Sequence, residues 1–316
     1  MRIVTQDDQI KEACSGVDVN FSLVGLQTFI DDAEFEILQL IGDNSLPELL
    51  ADNFGARILR KAVVNLSLDG YASTGAVQIS NSGIHVMKSG TMLPASDKKL
   101  ITFRRDAKER GWKAFEQLLS YMESHKKSFP LWHSSIERLN YFDTLFRNSN
   151  ELAQFSGITI TAHLFQIIRP QLRFIQDDVL VKNFGSELIS HLHSKLLQDS
   201  LQMVDRKLLR IFHRILGPLA VAEAIPYRAV QVTESGVFQA SISTFGTNSD
   251  NIEGLTVVQQ RILSSLLTKL TSEGESQIIL AAKLIDANPQ DWGSFNVAKP
   301  FNPEGFNDPE SNVYLM

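Results

Sequence analysis

Val77-Gln78-Ile79-Ser80-Asn81-Ser82-Gly83-Ile84 returns later in the chain as Val230-Gln231-Val232-Thr233-Glu234-Ser235-Gly236-Val237. Four of the eight positions are identical, and three of the others exchange Ile with Val or Ser with Thr. The echo reaches upstream. An apolar helical pattern ends at Ile41-Gly42 and again at Phe184-Gly185, and Ile58-Leu59-Arg60 pairs with Leu208-Leu209-Arg210. The offset grows from 143 through 150 to 153, as small insertions would produce. A repeat of this length predicts two copies of one supersecondary unit, hence two domains.

Working outward, Phe21, Leu26, Phe29, Ile30, Ala33, Ile37 and Ile41 recur at helical spacing, and Gly42 stops the pattern as a left-handed C-terminal residue. A short helix near Leu46–Leu50 and a long one over Gly55–Tyr71 follow. Val77, Ile79 and Ile84 then flank turn residues, the signature of a β-hairpin near 77–86. Leu100–Arg110 and Trp112–His125 read as two helices broken at Gly111. The second unit repeats the order: a long helix around Ile160–Val179, kinked or divided at Pro170, then Leu188–Leu197 and Val204–Ala224. A hairpin near 230–243 carrying Val230, Val232 and Val237 comes next, and two closing helices meet near Gly274. Pro130-Leu131-Trp132 at the end of the first unit has a counterpart in Asp291-Trp292.

The fold expected is therefore mainly α: two duplicated helical-bundle units, each with a short β-hairpin, plus an extended C-terminal arm. The first unit spans 1–147, with a linker at Arg147-Asn148-Ser149-Asn150; the second spans 148–292, and the arm 293–316. The arm is rich in Pro, Gly and Asn but carries Phe295, Phe301, Phe306 and Tyr314, more aromatics than an idle linker has. It is expected to dock on its own subunit or on a neighbour.

At 316 residues, 43% hydrophobic and 21% charged, the chain suits two globular domains. Its net charge of -6 argues against affinity gained by wrapping nucleic-acid phosphates. Cys14 is the sole cysteine, so neither an internal disulfide framework nor a cysteine zinc site is expected. The N-terminus lacks the apolar core of a signal peptide and no apolar run approaches a membrane span, which leads us to expect synthesis in the cytoplasm and no membrane partner.

Motifs for chemistry are sparse. There is no phosphate-binding glycine loop and no Gly-x-Ser-x-Gly elbow. His191 and His193 lie two residues apart, about 200° around a helix, and so cannot clamp a metal from one face. The acidic group Asp31, Asp32, Glu34 and Glu36 reads as the solvated face of an amphipathic helix, because the second copy replaces it with Arg169–Phe174. An enzyme would need a pocket drawn from both units, for example with Asp32, Glu36 and His163. The expectation is no enzyme, no cofactor and no metal. Basic residues recur instead: Arg57, Arg60 and Lys61 open one long helix, and Arg206, Lys207, Arg210 and Arg214 open its counterpart. They offer a polar contact surface for an acidic partner or neighbouring subunit, although arginine stems packed on the core would look the same.

Phe29-Ile30-Asp31-Asp32-Ala33-Glu34 before Leu40-Ile41-Gly42, then Leu59 through Leu68, the Ile79–Ile84 hairpin and Arg110-Gly111-Trp112 carry a resemblance. In their order they resemble a family of uncharacterised proteins encoded in phages and prophages of Bacteroidetes. More distantly they are similar to the head-tail connector proteins of tailed phages, also called head-completion or adaptor proteins. The first likeness covers most of the chain; the second covers only the first two helices of each unit. It departs from the classical connectors in having two units and a tail, and in losing the acidic helix start from unit two.

The resemblance implies a virion structural protein at the head-tail junction, made in the bacterial host. It would dock under the portal protein as a ring of about twelve copies and meet a tail or second adaptor protein. DNA would pass through the ring without sequence-specific binding. Its interfaces would draw on the two hairpins, the arm aromatics and Arg57, Arg60, Arg206 and Arg210. The alternative is a non-enzymatic helical scaffold or regulatory protein of the bacterial cell that binds an acidic partner through those arginines.

Overall fold

The computed structural model describes residues 2–14, 22–74, 77–80, 83–86, 97–233, 236–239, 257–292 and 295. It is mainly helical, and its residues gather into two compact units. Among the described residues, the first holds those up to Asp143 together with Ile160–Ile167, and the second holds Thr144–Thr159 and those from Ile168 onward.

In the first unit, α1 (Asp7–Ala13) and α2 (Leu23–Ile41) lead to a 3-10 turn and the short α3 (Leu46–Ala51). The long α4 (Asn53–Thr74) follows, then strands β1 (Val77–Ser80) and β2 (Gly83–Val86), α5 (Asp97–Ser124), α6 (Pro130–His133) and α7 (Ile136–Tyr141). The core is the antiparallel pair α4 and α5. Its register is fixed by Tyr121 Oη donating to Asp52 at one end and Arg104 Nε donating to Asp69 at the other, 3.2 and 3.1 Å. Leu59, Ala62, Val63, Phe115, Leu118 and Met122 fill the seam, all buried. α2 closes over α4 through Leu26, Ile30 and Ile37, and the Phe29 ring leaves no room for a side chain at Gly70.

The second unit runs through α8 (Ser149–Ser156), α9 (Ala162–Ile175), a π-helical stretch (Gln176–Val181), α10 (Lys182–Phe184) and α11 (Ser186–Leu197). It then continues through α12 (Met203–Ala229), β3 (Val230–Thr233), β4 (Gly236–Gln239), α13 (Val257–Asp286) and α14 (Pro289–Trp292). The first residues of α9 cluster with the first unit. The pair α12 and α13 is central, with Leu208, Phe212, Ile215, Leu216 and Ala281 buried along it. β1 pairs antiparallel with β2, Ile79 opposite Ile84, and β3 with β4, Val232 opposite Val237.

Several expectations need correction. Gly111 and Gly274 do not break helices; α5 and α13 run through them unbroken. The reason is space. A Cβ at Gly111 would stand 2.7 Å from Leu66 Cγ, and one at Gly274 would stand 2.5 Å from Leu219 Cγ. Each glycine lets its helix approach its partner closely, and the tertiary contact outweighs a propensity cost of about 1 kcal/mol. Gly42 does cap α2, but with φ 76° and ψ 144° it is outside the left-handed helical region; Gly185 repeats that conformation at φ 83° and ψ 147°. α9 passes through Pro170, and the change of geometry comes later, in the π-helical stretch whose Gln176 side chain accepts from Leu145 N at 2.9 Å. Arg147, placed in a linker by the sequence, is tied into the second unit through Leu196 O and Asp199.

Candidate functional site

Of the acidic group on α2, Glu34 departs from the solvated face that its pattern suggested. Glu34 is 7% exposed, and its carboxylate accepts from the backbone of Ile3 and Val4 at 2.8 and 3.0 Å, pinning the N-terminal segment. Asp31 and Asp32 are exposed as expected. Glu36 is exposed as well, and partial desolvation raises its carboxyl above its ordinary range, with Lys108 opposing and Asp69 adding to the rise. His163 sits at the start of α9, where the Glu109 carboxylate accepts from the backbone of Ala162 and His163. Among the described residues no group of three or more His, Cys, Asp or Glu side chains could hold a metal ion. No described helix is long and apolar enough to cross a membrane.

The basic residues lead to a clearer feature. In the first unit a cleft of about 1080 Å³ lies where α1, α4 and α5 meet. Its floor follows from helix spacing: Phe54, Ile58, Lys61 and Asn65 recur every three or four residues along α4, with Arg57 beside Ile58. Facing them on α5 are Phe103, Arg110 and Gln117, one heptad apart. α1 forms a third wall through Gln9, Glu12 and Cys14.

The polar atoms of this cleft are held, not loose. Asn65 is fully buried; its Nδ2 donates to Lys61 O at 2.8 Å, while its Oδ1 accepts from Arg110 Nε at 3.1 Å. Arg110 is thereby aimed along the cleft by a buried amide. Arg60 Nε donates to Ile3 O at 3.3 Å, and the Arg57 guanidinium stands 5.3 Å from the centre of the Phe54 ring. The Phe54 ring in turn meets Tyr121 edge-on at 4.8 Å. Four cations line the cleft, Arg57, Arg60, Lys61 and Arg110, against one carboxylate, Glu12. None of the four forms an ion pair among the described residues. The arrangement suits anionic groups carried on a partly apolar ligand, because Phe54 and Phe103 are exposed large apolar side chains within it.

Arg57 and Arg60 were anticipated here from sequence; Arg110, Asn65, Phe103 and Gln117 were not. Reading α5 as two helices hid the common stripe of Phe103, Arg110 and Gln117, which a continuous heptad count would have exposed. Arg206 and Arg210 are exposed on α12 in the second unit. The backbones of Val77, Ile79, Ile84, Val230, Val232 and Val237 lie in the four strands, and their side chains are outside the described residues. Phe295 continues from α14, its N–H bonded to Trp292 O at 3.0 Å and its ring 5.1 Å from that of His191. Phe301, Phe306 and Tyr314, with the rest of the expected arm, lie outside the described residues.

The α4 and α5 walls of the cleft fall within the stretch that comparison with known proteins picks out, while the wall from α1 precedes it. Residues 46–139 match the model of a family of unknown function, DUF6712. That stretch runs from α3 into α7, holds α4 and α5 entire, and covers less than a third of the chain. Neither the curated proteins nor the solved structures contain a match.

Proposed function

We propose that the chain is a non-enzymatic structural adaptor of a tailed-phage virion, a head-tail connector that docks on the portal as a ring and continues the DNA channel to the tail. What supports this reading is a set of parallels between the two units, which we read as one packing plan used twice with different surfaces. A long helix leads through an antiparallel ribbon to a second long helix, and a glycine in the second receives a leucine of the first. The leucines, Leu66 and Leu219, stand at the offset of 153 that also relates the ribbons. The caps Gly42 and Gly185 share an uncommon backbone conformation, and Trp132 and Trp292 close the two units, 0% and 1% exposed. We take the units to be copies of one ancestral unit.

A ring needs heterologous interfaces, in which a patch on one copy meets an unlike patch on the next. Two units alike inside and unlike outside supply such patches. The resemblance to connector proteins favours a place at the head-tail junction. Deleting the gene from a phage or lysogen that encodes the chain should leave filled or empty heads and free tails, seen by electron microscopy. Tailed, infectious particles from the deletion would refute the reading.

A second reading, a cellular scaffold that grips an acidic partner, is favoured by the four-cation cleft. It predicts a stable monomer whose partner binding weakens as salt rises. Deleting the gene would then leave particles unaltered.

A further inference from the structure

The cleft of the first unit has a matching ligand in the chain itself. From Phe301 to Met316 the sequence carries Glu304, Asp308 and Glu310 and no Lys or Arg, with Phe301, Phe306 and Tyr314 interspersed. Acidic groups alternating with aromatic ones are the complement of a cleft that alternates Arg57, Lys61 and Arg110 with exposed Phe54 and Phe103. The acidic stretch of the segment suits the length of the cleft, because Glu304 to Glu310 is six residue steps. Phe103 to Gln117 is about 21 Å along an α-helix, which accommodates about six residues of extended chain.

We propose that the segment 301–316 of one copy docks in the α1–α4–α5 cleft of a second copy, making a head-to-tail contact that repeats from subunit to subunit. The inference rests on the adaptor reading, for which a repeating heterologous contact is the minimum requirement. Carboxylates of the segment pair with Arg57, Lys61 and Arg110, and its rings lie against Phe54 and Phe103. Arg60 and Asn65 keep the cleft in shape through their bonds to Ile3 and Lys61.

Among its described residues the second unit does not repeat this cation arrangement. Under the offset of 163 that relates Gly111 to Gly274, the position of Arg110 is taken by Glu273, whose carboxylate lies 3.7 Å from Lys269. Under the offset of 153, the position of Asn65 is taken by Pro218, which has no side-chain amide to aim a cation.

The test uses the full chain. A photo-crosslinking benzoylphenylalanine replaces Phe103, and the variant is irradiated as an equal mixture of isotopically light and heavy protein. Cross-linked peptides that join position 103 to residues 301–316 of the other isotope are the expected result. Links to the segment of the same isotope only would mean docking within one copy and would overturn the proposal. So would links that reach no part of 301–316. A charge exchange provides the second arm. Arg57→Glu with Lys61→Glu should weaken self-association about tenfold or more, with helicity unchanged, and adding Glu304→Lys, Asp308→Lys and Glu310→Lys should restore it. Loss without restoration counts against the pairing. Because both arms use purified protein, they stand whether or not the chain is found in virions; absence from virions would remove the adaptor reading alone.

Discussion

Trp132 and Trp292 occupy the same place in their respective units, each just after a long helix and each shut off from solvent. In the first unit the indole Nε1 donates to Glu123 at 2.9 Å, and Glu123 is held in turn by a two-pronged bond from Arg138, at 2.7 and 2.8 Å. In the second, Trp292 Nε1 has no partner among the described residues. The apolar plan is shared and the polar detail differs. The same contrast holds for the long helix pairs: Gly111 against Leu66 and Gly274 against Leu219 are alike, while the cation cleft is a property of the first pair. Apolar packing is alike in the two units, whereas their polar and surface chemistry differs.

The largest expected effect lies in that polar detail. Burial would raise the Glu123 carboxyl, but the hydrogen bonds and charge of Arg138, with Trp132 and His133 assisting, hold it below its ordinary range. Arg138→Met would leave a buried carboxylate unpaired and should cost the first unit about 3–5 kcal/mol in chemical denaturation. The depressed carboxyl also sets a sign. Its contribution is complete above the ordinary carboxyl range and is lost as pH falls through the lowered value, so the wild-type advantage over Arg138→Met should shrink in acid. An unchanged midpoint for this variant would erase the contrast between the two tryptophans.

The second unit has its own acid-sensitive group. His213 is 8% exposed, stacked on Phe146 with ring centres 4.3 Å apart, and bonded through Nε2 to Leu145 O. Burial lowers its pKa to about 4, the bond to Leu145 opposing. The unfolded chain therefore binds the proton first. Stability should be full above pH 6.5, fall by up to about 3 kcal/mol as pH drops towards 4, and level off below. Hydrogen exchange in α12 reads this directly, and His213→Gln should flatten the profile; a slope that survives the substitution would assign it elsewhere.

The shared plan is tested by the glycines. Gly274→Ala meets Leu219 and the Ile215 carbonyl, and Gly111→Ala meets Leu66. Each should destabilise its own unit by about 1–3 kcal/mol despite the better helix propensity of alanine. Pairing each with Leu219→Ala or Leu66→Ala should recover part of the loss in a double-mutant cycle. A cost in one unit alone would break the equivalence on which the proposed duplication rests. The smallest effect is the control: nothing lies within 4 Å of a Cβ at Gly25, so Gly25→Ala should stabilise α2 by up to about 1 kcal/mol.

Much of the helical order was legible in the sequence, because Leu26, Ile30, Ile37 and Leu59, Ala62, Val63 carry the period of a buried helix face. The continuity of α5 and α13 was not. A glycine in a helical pattern reads as a stop, and only the partner helix reveals that it serves close approach. Glu34 likewise reads as solvated from its own helix, since the backbone groups it satisfies are thirty residues away at Ile3 and Val4. The cleft was half legible: Arg57, Arg60 and Lys61 stood out as a basic run, but Arg110 and Asn65 join them only through the antiparallel register of α4 and α5.

Counting the copies of this chain in intact purified particles, by quantitative mass spectrometry against a labelled standard, tests the adaptor reading most directly. A ring at the head-tail junction predicts about twelve copies per particle; absence of the chain from the particles would contradict the account.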